Sequence, residues 1–156
     1  MMIILLSRPF RSDKADFAAK YGITPDMVTG QPTIDTVLPA FHSFAQDTVL
    51  VAHNAAFDMR FLQLKEKSTG VVFDQPVLDT LLLSAVIHPN QDSHRLEAIA
   101  ERFDVPVIGR HTAMGDAMVT AEIFIKLIPL LAQQGIHTLG QAREAAQKTY
   151  FSRLKY

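Results

Sequence analysis

The stretch TVLVAHNAAFDMRFL, residues 48–62, constrains this chain more than any other. Residues 48–52 are apolar or β-branched without alternation, the pattern of a strand buried on both faces. The strand ends at His53-Asn54, and a helix follows that should run to about Lys67. Asn54 suits the cap of that helix, where a side-chain oxygen can satisfy free N–H groups. Asp58 comes one turn later, so its carboxylate projects near the C-terminal end of the strand, where open α/β sheets place their ligands. The neighbouring helix N-terminus favours the ionised form, and an ionised carboxylate can hold a divalent cation or its water shell. Against this stands the ordinary role of an acid in a capped, solvated helix start.

The rest of the chain alternates strands with helices. Residues 1–6 (MMIILL) form a continuous apolar run, like a buried strand, which Ser7-Arg8-Pro9 breaks. Residues 13–20 suit a short helix ended by Gly22, and Thr24-Pro25 suits the cap and first turn of another. A further helix is expected over residues 34–45, with Val37, Leu38, Phe41 and Phe44 on one face. Residues 71–77 hold an extended segment near Pro76. Asp79 suits the cap of a helix over residues 80–87, apolar nearly all round and therefore central. Residues 93–103 should be helical with Leu96, Ile99 and Ala100 inward.

The clearest helix covers residues 113–132. Met114, Ala117, Met118, Ala121, Phe124, Ile125, Ile128 and Leu131 recur there at helical spacing, and Pro129 should bend or shorten its last turns. A final helix runs from Leu139, capped by Thr138, to near Tyr150. Strands alternating with helices make an α/β layer fold, with many helices and few strands.

The 156 residues suit a single domain, 1–156. An apolar content of 48% against 20% charged residues argues against disorder. The absence of cysteine excludes disulfides, thiolate zinc sites and cysteine nucleophiles. The early apolar run is too short to span a membrane and lacks the marks of a signal peptide, so a cytoplasmic protein with no membrane partner is the expectation. A formal net charge of −1 does not favour extensive phosphate gripping. A small pocket taking one strand end through metal ions remains compatible with it.

A second constellation lies in GRHTAMGDAMVTAEIF, residues 109–124. Gly109-Arg110-His111 reads as loop, and Asp116 falls in the first turn of the long helix. A loop histidine beside a fixed carboxylate suits general-base work on a metal-bound water, and histidine has the pKa for it. The plainer reading is an exposed loop histidine and an acid favoured by the helix N-terminus.

Together the segments are more specific than either alone. HNAAFD followed by HTAMGDA, with PVLDTLLLSAVIHP and HRLEAIAERF between them, resembles the DnaQ-like (DEDDh) 3′–5′ exonucleases of the RNase H-like superfamily. The group includes the proofreading subunit of bacterial DNA polymerase III and the exonuclease domain of the PolC-type polymerases. The resemblance starts near Leu5 and covers nearly the whole chain; YGITPDMV is similar to the family's HGIT segment, with Tyr21 where a histidine is usual.

The resemblance implies an RNase H-like α/β fold and metal-dependent hydrolysis at nucleic acid 3′ ends, with single-stranded DNA or RNA as partner and Mg²⁺ or Mn²⁺ as cofactor. It implies that Asp58 and Asp116 are catalytic acids and metal ligands, that His111 is the base activating water, and that Asn54, Phe57 and Tyr21 border the terminal nucleotide. Asp79 is the weakest candidate, since a helix cap explains it. His42, His88, His94 and His137 have no partner at ligand spacing and read as structural or surface residues.

The family's other two acids, an Asp-x-Glu on the first strand, have no counterpart before Asp58; the first acid is Asp13, and Asp13 with Asp16 has the wrong spacing. Either residues 5–10 (LLSRPF) match the family's third strand and the first two are absent, which is the preferred alignment, or residues 1–6 fill the first-strand slot without its acids. Both leave the chain without the catalytic pair, and the preferred one implies an N-terminally truncated fold with a reduced sheet flanked by helices. Because a bridging metal ligand is worth several factors of ten in rate, at roughly 1.4 kcal/mol for each, the chain is expected to be inactive or very weak. The alternative is a non-catalytic module that binds a nucleotide, a nucleic acid or a protein. The open sheet edge should be covered by residues 1–6 or by a second copy in a homodimer.

Overall fold

The structure, a computed structural model, describes residues 24–109 and 112–153. The expected strand over residues 1–6 and helix over residues 13–20 lie outside the described residues. In order, the elements are α1 (Pro25–Val28), α2 (Ile34–Phe44), β1 (Leu50–Ala52), α3 (Ala55–Thr69), β2 (Val77–Asp79), α4 (Thr80–Ile87), α5 (Leu96–Arg102), α6 (Ala113–Gln133) and α7 (Leu139–Arg153).

Among the described residues the sheet has two strands, β1 and β2, paired in parallel with Leu50 opposite Val77, Val51 opposite Leu78 and Ala52 opposite Asp79. A parallel pair needs a crossover, and α3 supplies it. The period of two along a strand sorts the core into halves. Leu50 and Val77 pack on one side with Ile34, Leu38 and Phe41 of α2, Phe73, and Met59 and Leu62 of α3. Val51 and Leu78 pack on the other with Leu83, Ile99, Ile123 and Leu127, from α4, α5 and α6, and with Ala142 and Ala146 of α7. The sheet is therefore the middle layer of an α/β arrangement, buried on both faces as its unbroken apolar sequence requires.

Several expectations need correcting. Strand β1 is shorter than residues 48–52, and the second strand starts only at Val77, with residues 70–76 leading into it without regular structure. Phe44 is exposed rather than packed with Leu38 and Phe41. The fifth helix begins at Leu96, after Ser93-His94-Arg95. Along α6 the buried face is Gly115, Val119, Thr120, Ile123, Leu127 and Leu131. Met114, Met118, Ile125 and Ile128 are exposed. That helix is apolar on more than one side, so periodicity alone could not choose the inward face. Pro129 does not shorten it, because the helix runs on to Gln133.

Candidate functional site

Both acids of the expected site stand in the first turn of a helix, and each helix start is built differently. Asn54 occupies the position before α3 in a left-handed conformation, φ 59° and ψ 50°, and makes no side-chain capping bond. This corrects the expected role of Asn54 as a side-chain cap. The capping oxygens come instead from Asp79, at the end of the neighbouring strand. Its Oδ1 accepts from the Asn54 N–H and its Oδ2 from the Ala55 N–H, both at 3.0 Å. Oδ1 also accepts from the Leu81 N–H at 2.9 Å, the expected cap of α4. One carboxylate thus satisfies donors at the starts of two helices, with charge-assisted bonds stronger than neutral ones.

The next residue completes the junction. Thr80 is fully buried, and its hydroxyl lies 3.3 Å from the Ala52 carbonyl and 3.0 Å from His53 Nδ1. A hydroxyl has one proton to donate. With that proton on the carbonyl oxygen, Nδ1 of His53 is the donor to Thr80. The Asp79-Thr80 pair therefore grips Ala52, His53, Asn54 and Ala55, the whole passage from β1 into α3. Local sequence reading found Asp79 as a cap of its own helix. It missed the grip on α3 and the part of Thr80, because the bonded residues are about 25 positions away in sequence.

Asp58 is half-buried one turn further on. Removal of water raises the pKa of its carboxyl above the ordinary 3.8; a backbone N–H bond opposes this, and the negative charge of Asp79 adds to it. A carboxylate short of water and facing a second anion suits a divalent cation, whose charge would reverse both effects. Phe57, beside it, is 70% exposed.

The second helix start depends on a missing side chain. Gly115 is buried in the first turn of α6 against the backbone of the preceding loop. A Cβ built on it would lie 2.1 Å from the Gly109 carbonyl oxygen and 2.6 Å from that of Ile108. Gly109 turns the loop with φ +68°. The Thr112 N–H donates to the Gly109 carbonyl at 3.0 Å, and the Thr112 hydroxyl accepts from the Gly115 N–H at 3.1 Å. Asp116 follows, with its N–H on the Thr112 carbonyl and its own carbonyl accepting from the Thr120 hydroxyl. His111 and Tyr21 lie outside the described residues.

The structure thus brings Asn54, Phe57, Asp58 and Asp79 together at one end of the sheet. Asp116 it places on α6, which packs against β1. Asp58 and Asp116 offer hard oxygen donors, which fit Mg²⁺ or Mn²⁺ in kind. Among the described residues no group of three or more histidines and acids gathers at ligand distance. Of the other histidines, His94 is buried and bonded to Ser84, while His42 and His88 pack edge-on against Phe73 and Phe103. Among the described residues no helix is long and apolar enough to cross a membrane.

A parallel sheet between helix layers, with acids opening the helices α3 and α6, defines an α/β protein. The profile of the RNase_T exonuclease family matches residues 6–124, and the chain belongs to that family. It is 45% identical over 145 residues to a DNA polymerase III subunit epsilon-like protein of Rhodobacter capsulatus, covering 92% of this chain and 21% of that one. It is 42% identical over 120 residues to the PolC-type DNA polymerase III of Caldanaerobacter subterraneus, covering 77% of this chain and 9% of that one. With the PolC-type enzyme of Bacillus subtilis it shares 35% identity over 140 residues, 88% of this chain and 10% of the relative. The chain thus spans about a fifth or less of the length of these relatives. Membership of the family carries the RNase H-like fold that the two motifs imply.

Proposed function

We propose that residues 1–156 form one reduced exonuclease-type domain, whose site is of the kind that hydrolyses a phosphodiester at the 3′ end of single-stranded DNA or RNA. The observation that carries this reading is Asp58, a half-buried carboxylate beside Asp79 at the end of β1. Asp58 and Asp116 would hold Mg²⁺ or Mn²⁺, and His111 would take a proton from the attacking water. Asn54, Phe57 and Tyr21 would border the terminal nucleotide. When bound, the divalent ions activate water and stabilise the leaving oxygen.

No Asp-x-Glu precedes Asp58 in these 156 residues. We therefore read the chain by itself as inactive or very weak, with a sheet that lacks the paired first-strand acids.

The test is incubation of the chain with 3′-labelled single-stranded DNA and Mn²⁺, with Asp116→Ala alongside. The expected result is little or no release of 3′ nucleotides in either. Brisk release that the substitution abolishes would overturn the inactive reading and keep the site. A second reading, a non-catalytic module that binds nucleotide, nucleic acid or protein, rests on the same lack of an Asp-x-Glu before Asp58 in these residues. Fluorescence-detected binding of a labelled oligonucleotide without cleavage would support it.

A further inference from the structure

The LDT segment, Leu78-Asp79-Thr80, has no assigned role in the site proposed above. Asp79 accepts three backbone N–H bonds, from Asn54, Ala55 and Leu81. A carboxylate has about four acceptor positions, so Asp79 has little capacity left for a ligand. Thr80 is buried and reaches Ala52 and His53. Between them the two residues bond to four consecutive residues of the β1–α3 passage.

That passage needs holding. Asn54 sits at φ 59°, a left-handed conformation that non-glycine residues seldom adopt without surrounding support. The direction in which α3 leaves β1 turns on it. Asp58 is in the first turn of α3, so any swing of that turn moves its carboxylate. A metal ligand depends on such outer partners for its orientation.

We propose that Asp79 and Thr80 are positioning residues, a two-residue clamp from β2 that fixes the first turn of α3 and thereby aims the Asp58 side chain. The proposal rests on the reading of Asp58 as a cation ligand only for its consequence; the clamp itself is a statement about geometry. Asp79 is thereby a holder of backbone, not a further metal ligand, and Thr80 is specified by its hydroxyl rather than its size.

The experiment uses the 156-residue chain and four variants, Asp79→Asn, Thr80→Val, Thr80→Ser and Asp58→Asn. Thermal melts come first and set a working temperature at which each is folded. Thr80→Val keeps the shape and loses only the hydroxyl, so it remains informative if Asp79→Asn melts early. The first readout is the χ1 scalar coupling of Asp58 together with the amide signals of Asn54 and Ala55.

We expect one rotamer in the parent and in Thr80→Ser, and averaged couplings in Thr80→Val and Asp79→Asn with the rest of the spectrum in place. Unchanged Asp58 couplings in both Thr80→Val and Asp79→Asn overturn the clamp. The second readout is Mn²⁺ affinity from water-proton relaxation. Loss of an outer partner should weaken it about tenfold, with Thr80→Ser near the parent. Parent-like affinity in Asp58→Asn would instead sink the cation reading, while the couplings still decide the clamp.

Discussion

The two acids that open α3 and α6 sit on helix starts built by opposite means. At α3 the start is held by a side chain reaching in from elsewhere: Asp79 of β2 supplies oxygens to the Asn54 and Ala55 N–H groups. At α6 it is held by the absence of a side chain: the loop backbone at Ile108 and Gly109 lies where a Cβ of residue 115 would be. The first junction is electrostatic and joins two strand ends. The second is steric and local. Fixing an acid needs a rigid backbone beneath it, and here rigidity comes once from long-range bonding and once from close approach.

Removal of the reaching side chain should have the largest effect. Asp79→Ala leaves donors at the starts of two helices without their acceptor. With bonds to a charged acceptor worth roughly 1.5–3 kcal/mol each, and with the Asn54 end open to water, a loss of about 3 kcal/mol is expected. Urea unfolding followed by circular dichroism measures it. A loss under about 1 kcal/mol, no more than an ordinary exposed helix cap, would show that water replaces Asp79 at little cost and that the two junctions do not differ as described.

Filling the missing side chain comes next, and here the sign decides. In an ordinary helix interior Gly→Ala gains up to about 1 kcal/mol. At Gly115 the added methyl meets backbone oxygen, and overpacking of this kind costs about 1–3 kcal/mol. Gly115→Ala should therefore destabilise by about 2 kcal/mol and shift the amide signals of Ile108 and Gly109. A stabilised variant would mean that the loop does not rest on the helix. A smaller change at the same junction, Thr112→Ala, removes the hydroxyl that caps the Gly115 N–H and should cost about 1 kcal/mol. An effect as large as that of Gly115→Ala would shift weight from steric fit to capping.

Legibility in the sequence follows the same division. The βαβ order, the burial of β1 on both faces, the central place of α4 and the lengths of α6 and α7 all follow from local pattern, because strand burial and helix periodicity are written in neighbouring residues. Asp79 as cap of α4 was legible for that reason, since its bond to Leu81 spans two positions. Its bonds to Asn54 and Ala55 were not, and the local signal at Asn54 pointed to the wrong capping group. Asn is a good cap, but it also tolerates the left-handed conformation it adopts here, and only the partner strand decides between these uses. Gly115 carried no signal at all, because glycine inside a helical pattern reads as a mild defect. The inward face of α6 was misjudged because Met114, Met118, Ile125 and Ile128 are as apolar as the residues that turn inward.

The smallest effect concerns Asp58 itself and is read through pH. Burial, helped by the charge of Asp79, raises its folded-state pKa above 3.8. A carboxyl that binds its proton more tightly when folded lowers stability at neutral pH. That penalty is relieved as pH falls through the raised value, and it is gone below the unfolded value. Asp58→Asn removes the charge without much change of shape. Its melting temperature should therefore exceed that of the parent at pH 7, and the two should converge on acidification toward about pH 3.8, the ordinary value. Added Mn²⁺ should narrow the gap at pH 7 by stabilising the parent alone, since a ligand bound to the folded state raises its stability. Parallel melting temperatures from pH 7 to pH 4 would show that Asp58 carries no burial penalty, and the α3 junction would then differ from the α6 junction in its bonding alone.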